Sequence, residues 1–308
     1  MTASTPGGDV NTDVVLPFIL ESSGIRGRVV RLSSAVEGII GPRSYPAPLA
    51  GLLAELLALT CGLSSLLKYE GIFSIQTKSD GPASMFVADI TSGGDLRGYA
   101  GFDDAAIAEL LKREDPPGFK ALVGGGYLAF TVDQGSHANR YQGIVDLNGD
   151  SLADCFQHYF LQSEQVNTGT VIAADSTAAG WSSGTLILQY MPEEGMERVP
   201  QSSEEMEENW RRAMMLQATC TAGELLDPGL PLTDLLYRLF HEERVRVFEP
   251  RPVRAKCRCS KSRLEAFVKT MTPDELEPHM VEGAVEFTCE FCGRVYSFRE
   301  ADLKTASS

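Results

Sequence analysis

Two pairs of cysteines near the C-terminal end carry the most specific chemistry in this sequence. Cys257-Arg258-Cys259 is followed, after 29 intervening residues, by Cys289-Glu290-Phe291-Cys292-Gly293. Thiolates paired at short spacing, twice over, match a tetrahedral four-cysteine site for one zinc ion per chain in the reduced state. In the second pair, Gly293 can take the positive φ of a zinc turn, which lets backbone amides face the sulfurs. In the first, residues i and i+2 of an extended segment point the same way, so both sulfurs can reach one ion. Thiols at this C-x-C spacing also lie close enough to form a disulfide after local adjustment. Arg251, Arg254, Lys256, Arg258, Lys261 and Arg263 surround the first pair. They either balance the net charge of about −2 that four thiolates leave around a zinc ion, or mark a zinc ribbon acting as a nucleic-acid adaptor. The adaptor reading requires salt-sensitive binding by the zinc-loaded protein.

No other group reaches that specificity. Cys61, Cys155 and Cys220 sit in helical, partly apolar settings and read as buried, inert thiols. The four histidines, at 137, 158, 241 and 279, fall in no metal or nucleophile motif, and His241-Glu242-Glu243 lacks the second histidine of a metalloprotease helix. Gly124-Gly125-Gly126 has no following Lys-Ser/Thr, so it reads as a turn rather than a phosphate loop. No thioredoxin-like pattern surrounds the cysteines, which weakens a thiol-oxidoreductase reading. The sequence therefore offers no enzyme motif.

The elements that must hold the cysteines can be read from composition and pattern. A chain of 308 residues with 43% apolar content can bury one substantial core plus a smaller unit. The net charge of −15 works against contact with nucleic acid or anionic lipid over most of the surface. The start, MTASTPGGDV, has neither the cationic residues nor the apolar run of a secretory signal. Residues 49–67 have membrane-like length but carry Glu55, Thr60, Gly62, Ser64 and Ser65, and are expected as a buried helix rather than a membrane span. A cytoplasmic location is expected, where thiols stay reduced and seven cysteines point to metal or redox chemistry.

Strands are expected over 29–32, 72–77, 85–90, 96–100, 127–133, 142–145, 170–174 and 185–190, with helices over 104–112 and from a cap at Ser151 to about Gln162. This pattern predicts an α+β core of mainly antiparallel sheet over residues 1–192. A polar, acidic stretch from Pro192 opens a helical linker over 193–250, with helices over 204–220 and 233–242. The second carries Leu235, Leu236, Leu239 and Phe240 on one face and must dock somewhere. The basic, cysteine-rich remainder, 251–308, forms the zinc unit, too short to build much core without its metal.

These residues resemble a known family. The segments DLLYRLFHEERVRVFEPRPVRAKCRCS and EFTCEFCGRVYSF look like the C-terminal half of the bacterial 33 kDa heat-shock chaperonin family. LLKYEGIFSIQTKSDGP, LRGYA and YQGIVDLNGDSLADCFQHYFLQSEQVNT are similar to its core domain, so the likeness runs from about residue 15 to 303. The departures are Ser-Asp before Gly81-Pro82, where glycine is common, and loops at 175–184 and 193–203 that look lengthened. The resemblance implies a redox-switched, ATP-independent holdase that keeps zinc on Cys257, Cys259, Cys289 and Cys292 when reduced. It also implies that oxidation forms disulfides Cys257–Cys259 and Cys289–Cys292 with loss of the metal. The oxidised form then holds unfolded proteins against aggregation, often as a dimer. On that reading the linker loses its support once the metal unit unfolds. Trp210, Met214, Met215 and Leu216, with Leu235, Leu236, Leu239 and Phe240, then become candidates for client contact, methionine-rich surfaces being adaptable.

Overall fold

The computed structural model describes residues 12–114, 116–134, 141–190 and 202–299. His137 and residues 192–201, which open the acidic stretch and make up most of the loop at 193–203, lie outside the described residues. The chain divides into two compact units, Met1–Ala255 and Lys256–Ser308.

The first unit is organised around the helix Ala47–Ser64. Its start is fixed by Pro46, whose extended backbone (φ −53°, ψ 140°) precedes the first turn, and by Pro48 within that turn. Leucine and alanine, the strongest helix formers, fill most of the later turns. By length and composition the helix could cross a membrane, yet 78% of it is buried inside the unit, as a core helix apolar on all sides should be. It packs against two sheets at once. The first sheet runs in the order Val245–Val247, Val14–Leu20, Ile25–Leu32, Gly180–Gln189, Thr168–Thr177, with Arg251–Pro252 also paired to Val14–Leu20. The second runs Arg254–Ala255, Asp95–Gly101, Met85–Thr91, Ile72–Ser79, Gly126–Asp133, Tyr141–Asp146. Apart from the parallel contact of Arg254–Ala255 with Asp95–Gly101, the ladders in both sheets are antiparallel. The α+β class and the antiparallel sheets expected from sequence are present.

Alternation along the first sheet sends apolar side chains to both faces. Val15, Val30, Leu32 and Ile187 join the core around the central helix. Their neighbours Val14, Leu16, Phe18, Val29, Leu186 and Leu188 form a second core on the opposite face. Three helices cover that face: Ser203–Gln217, Ala222–Leu226 and Leu232–Phe240. The first two begin with capping boxes, Ser202 with Glu205 and Thr221 with Glu224. Leu235, Leu236 and Phe240 are fully buried there, and Phe240 stacks on Phe18 with ring centroids 6.1 Å apart. The described part of the stretch expected as a linker, Ser202 to Pro250, thus belongs to the first compact unit, as do residues 251–255.

Polar contacts pin this helical layer in one place. The Arg31 guanidinium, 1% exposed, donates to the carbonyl oxygens of Leu225 (2.8 Å), Leu230 (2.7 Å) and Glu224 (3.0 Å). The Glu224 and Leu225 carbonyls lie in the last turn of the short helix Ala222–Leu226, where the backbone has no helical partners of its own, and that of Leu230 lies in the turn that follows. Gln217 Nε2 donates to Leu186 O (2.8 Å) and Gly169 O (3.2 Å) of the sheet below. Arg212 Nε meets the buried Glu243 carboxylate at 2.6 Å.

The structure also corrects one reading. Residues 175–184 are not a lengthened loop but a strand hairpin, in which Asp175 pairs with Ser182 and Thr177 with Gly180. Gly180 takes φ +106° at the turn, and the neighbouring Trp181 N–H donates to Glu37 Oε2 at 2.8 Å.

Two outcomes are expected for stability, readable by urea unfolding. Phe240→Ala should cost about 3–5 kcal/mol by leaving a cavity under the helical layer, whereas Met215→Ala, at a side chain 60% exposed, should stay within about 0.5 kcal/mol. Glu55, on the central helix, has its carboxyl raised by burial from 4.5 to about 7. A raised carboxyl contributes stability fully below the unfolded value and loses it as pH rises through the folded one. Glu55→Gln should therefore gain stability over the parent on the alkaline side of about pH 7 and gain nothing in acid.

Candidate metal and redox site

The second unit positions four sulfurs with very little structure. Strands Ala284–Thr288 and Val295–Arg299 pair antiparallel, Thr288 facing Val295, so the hairpin delivers Cys289 and Cys292 at its tip. The tip is closed by Gly293 N donating to Cys289 O (2.8 Å) and Cys289 N donating to Arg294 O (2.9 Å). Gly293 adopts φ +69°, the left-handed value the turn requires. Cys257 and Cys259 lie in an irregular segment rather than a paired strand. The helix Lys261–Val268 comes directly after, capped by Ser260 Oγ accepting from Arg263 N.

The four ligand atoms lie within 4.8 Å of one another. Cys257 Sγ is 3.7 Å from Cys289 Sγ, and Cys259 Sγ is 3.5 Å from Cys292 Sγ. A tetrahedral ion with metal–sulfur bonds of about 2.3 Å would hold its sulfurs about 3.8 Å apart. The spacing fits one ion, and no pair approaches the S–S bond length of about 2.0 Å; all seven cysteines are free thiols. Four close Cys residues could thus hold a metal, and their soft sulfur donors suit zinc. The apolar support is slight. Among the described residues the buried core of this unit is Val268, Val285, Tyr296 and Phe298, with Cys259 and Cys289 themselves packed against it.

Tyr296 is the neighbour that sequence reasoning missed. Its hydroxyl donates to Cys259 Sγ at 3.1 Å. Burial raises the Cys259 thiol, but the bonds from Tyr296 and the other thiols outweigh it and bring the pKa from 9.0 down to about 7. Burial, together with the contacts to neighbouring sulfurs, pushes Cys292 up to about 12, and burial raises Cys257 as well. Nothing in the sequence marks Tyr296 as special; only the hairpin register brings it beside the C-x-C segment.

The remaining thiols are of another kind. Cys61, Cys155 and Cys220 are buried in the first unit, and burial raises each pKa, Cys220 to about 11. Protonated and screened, they are poor targets for oxidants. The residues singled out for client contact lie together in the helical layer. Leu235, Leu236, Leu239 and Phe240 are buried, Trp210 packs edge-on against Tyr190 at 6.3 Å, Met214 and Leu216 are half-buried, and Met215 faces solvent.

A mixed core overlaid by amphipathic helices and continued by a small four-thiol unit defines a chain whose C-terminal module could hold a metal ion. Comparison with known proteins makes this specific. A family described as "Hsp33 protein" matches residues 13–299. The 33 kDa chaperonin of Caulobacter vibrioides is 37% identical over 302 residues, 96% of this chain and 98% of its own length. That of Pseudomonas fluorescens is 35% identical over 295 residues, 95% and 93% of the two chains. The crystal structure of a 33 kDa chaperonin from Thermotoga maritima superposes with a TM-score of 0.75 over 95% of this chain and 97% of that one, at 20% identity, which establishes a shared fold. The chain belongs to the Hsp33 family, and membership supports a chaperone role.

Tyr296→Phe, which removes the hydroxyl that donates to Cys259 Sγ, should weaken the affinity of the reduced protein's four thiols for added zinc by about tenfold, measured by competition with a chelator. An unchanged affinity would show that the hydroxyl does not tune the sulfur.

Proposed function

We propose that this protein is a redox-regulated, ATP-independent holdase of the bacterial cytoplasm that binds unfolded or oxidatively damaged proteins and prevents their aggregation. The observation that carries the reading is the four-sulfur cluster set in a unit whose buried core, among the described residues, is four side chains. Zinc, when bound there, supplies folding free energy on the order of 10 kcal/mol or more. Cys257, Cys259, Cys289 and Cys292 are its ligands, and the same thiols are the sensor.

The chemistry balances within each pair when peroxide is the oxidant. A thiolate attacks the peroxide oxygen, becomes a sulfenic acid and releases hydroxide; the neighbouring thiol then displaces water to give the disulfide. Each pair gives up two electrons to one hydrogen peroxide. The partners are Cys257 with Cys259 and Cys289 with Cys292, and either bond withdraws two of the four ligands. A unit with so small an apolar core should not stay folded after that loss.

The helical layer is the next to loosen. It is anchored to the first sheet by Leu235, Leu236, Leu239 and Phe240 and by Arg31, and it runs through residues 245–255 into the cysteine segment. Its release would uncover both its own apolar face and the sheet beneath it. Trp210, Met214, Met215 and Leu216 extend that surface on the helix Ser203–Gln217. Pairing of two oxidised chains would be a further use of the same exposure.

Peroxide at elevated temperature should release one zinc per chain as suppression of client aggregation appears, and a thiol reductant with zinc should reverse both. Cys289→Ser should lower zinc affinity by about tenfold or more and leave the reduced protein partly active without oxidant. Acidification should also release zinc, because the ligands must be deprotonated to bind it. Zinc loss without holdase activity would reduce the site to a structural staple. Salt-sensitive binding of nucleic acid by the zinc-loaded form would move the adaptor reading forward.

A further inference from the structure

Residues 245–252 form a strap over the free edge of the first sheet. Val245–Val247 lie antiparallel on Val14–Leu20, pairing Phe18 with Val247, Ile19 with Arg246 and Leu20 with Val245. Further along, Val14 faces Pro252 and Val15 faces Arg251. Glu21 N donates to Arg244 O (3.2 Å), Phe248 N to Pro17 O (2.9 Å) and Val253 N to Asp13 O (2.8 Å).

The two partners are unequal. Every residue of Val14–Leu20 is buried, with side chains sent alternately to both cores. Every residue of the strap from Arg246 to Pro252 is exposed. The strap is thus held by backbone bonds, by Val245 packed against the second core and by a surface ion pair, Arg246 Nε to Glu21 Oε1 at 3.1 Å, with Val253 buried just beyond its end. The Pro17 carbonyl points at the strap, so its missing N–H leaves a gap in the ladder on that side. Proline in a strand otherwise this apolar belongs to an edge.

We propose that the edge of Val14–Leu20 is a docking edge for extended segments of unfolded protein, occupied in the present state by the chain's own strap. This rests on the holdase reading above. An uncovered strand edge is a template for another extended chain, and main-chain pairing reads no sequence, which suits a protein that must accept many clients. The strap shows that the edge takes an antiparallel segment. It leads through the buried Val253 and the short pairing of Arg254–Ala255 with Asp95–Gly101 into Lys256 and Cys257, so once the metal unit unfolds only that two-residue contact and one buried side chain hold its C-terminal end. A client segment in its place would set alternate side chains toward the face of Val14, Leu16, Phe18 and Leu20 once the helices above withdraw.

The test measures amide hydrogen exchange in the full-length chain, reduced and peroxide-oxidised, with a reduced and carboxymethylated, permanently unfolded protein as the client. The amides of Val15, Ile19 and Glu21, which face the strap, should lose protection by about tenfold or more on oxidation and regain it when the client is added. A synthetic peptide spanning 243–255 should bind the oxidised chain but not the reduced one, and should weaken its suppression of aggregation severalfold. The same peptide carrying Arg246→Pro, which removes the N–H opposite Ile19, should do neither. The edge proposal is overturned if the oxidised chain suppresses aggregation while these three amides stay protected, or if they open and neither client nor peptide closes them. An oxidised chain that suppresses no aggregation sinks the holdase reading itself, a result distinguishable from either of these.

Discussion

The first sheet is apolar on both faces, and that constraint shapes most of the molecule. Val15, Val30 and Ile187 require a partner on one side and find the central helix; Leu16, Phe18, Val29, Leu186 and Leu188 require one on the other. A sheet of this kind cannot face water on either side. The three helices between Ser203 and Phe240 exist, in packing terms, to cover the second face, and their amphipathic character comes from covering one surface only. The buried Arg31 adds direction to this contact, since its three carbonyl partners tie the last turn of the short helix and the turn after it to the sheet.

The small unit answers the opposite constraint. Among the described residues so few of its apolar side chains are buried that Cys259 and Cys289 pack into its core, and a metal held by the cysteines would supply the stability that hydrophobic burial supplies elsewhere. Joining the two designs in one chain gives a large unit with two extensive cores whose outer layer continues into a unit with a small one. The segment 245–255 is the covalent joint, and it is also the least buried part of the larger unit's sheets.

The cysteine site was legible because its signal is local: two short spacings and a glycine suffice to specify it. The second sheet was legible for a similar reason, since strands such as Ile72–Ser79 alternate buried and exposed positions. Val14–Leu20 was not, because burial on both faces erases alternation and Pro17 argues against a strand unless the strand is an edge. The pairing of 245–247 and 251–252 with that strand is long-range, and two- or three-residue strands carry no pattern of their own. The helix Ser34–Ile40 was missed because its cap is remote: Asp13 accepts from the N–H groups of Ser33 and Ala35, both at 2.9 Å. Tyr296 became part of the site only through hairpin register.

The central helix carries a consequence for biosynthesis. Ala47–Ser64 is as apolar as a membrane span, and much of its cover comes from Thr168–Thr177 and Gly180–Gln189, strands that lie far downstream in the chain. During translation the helix emerges well before those strands exist, and contacts so distant in sequence form slowly. For that interval the nascent chain exposes the kind of surface that a holdase would bind. A member of a chaperone family thus begins its own existence as a fitting substrate for one, and its yield in a cell should depend on what shelters residues 47–64 until the second half of the sheet arrives.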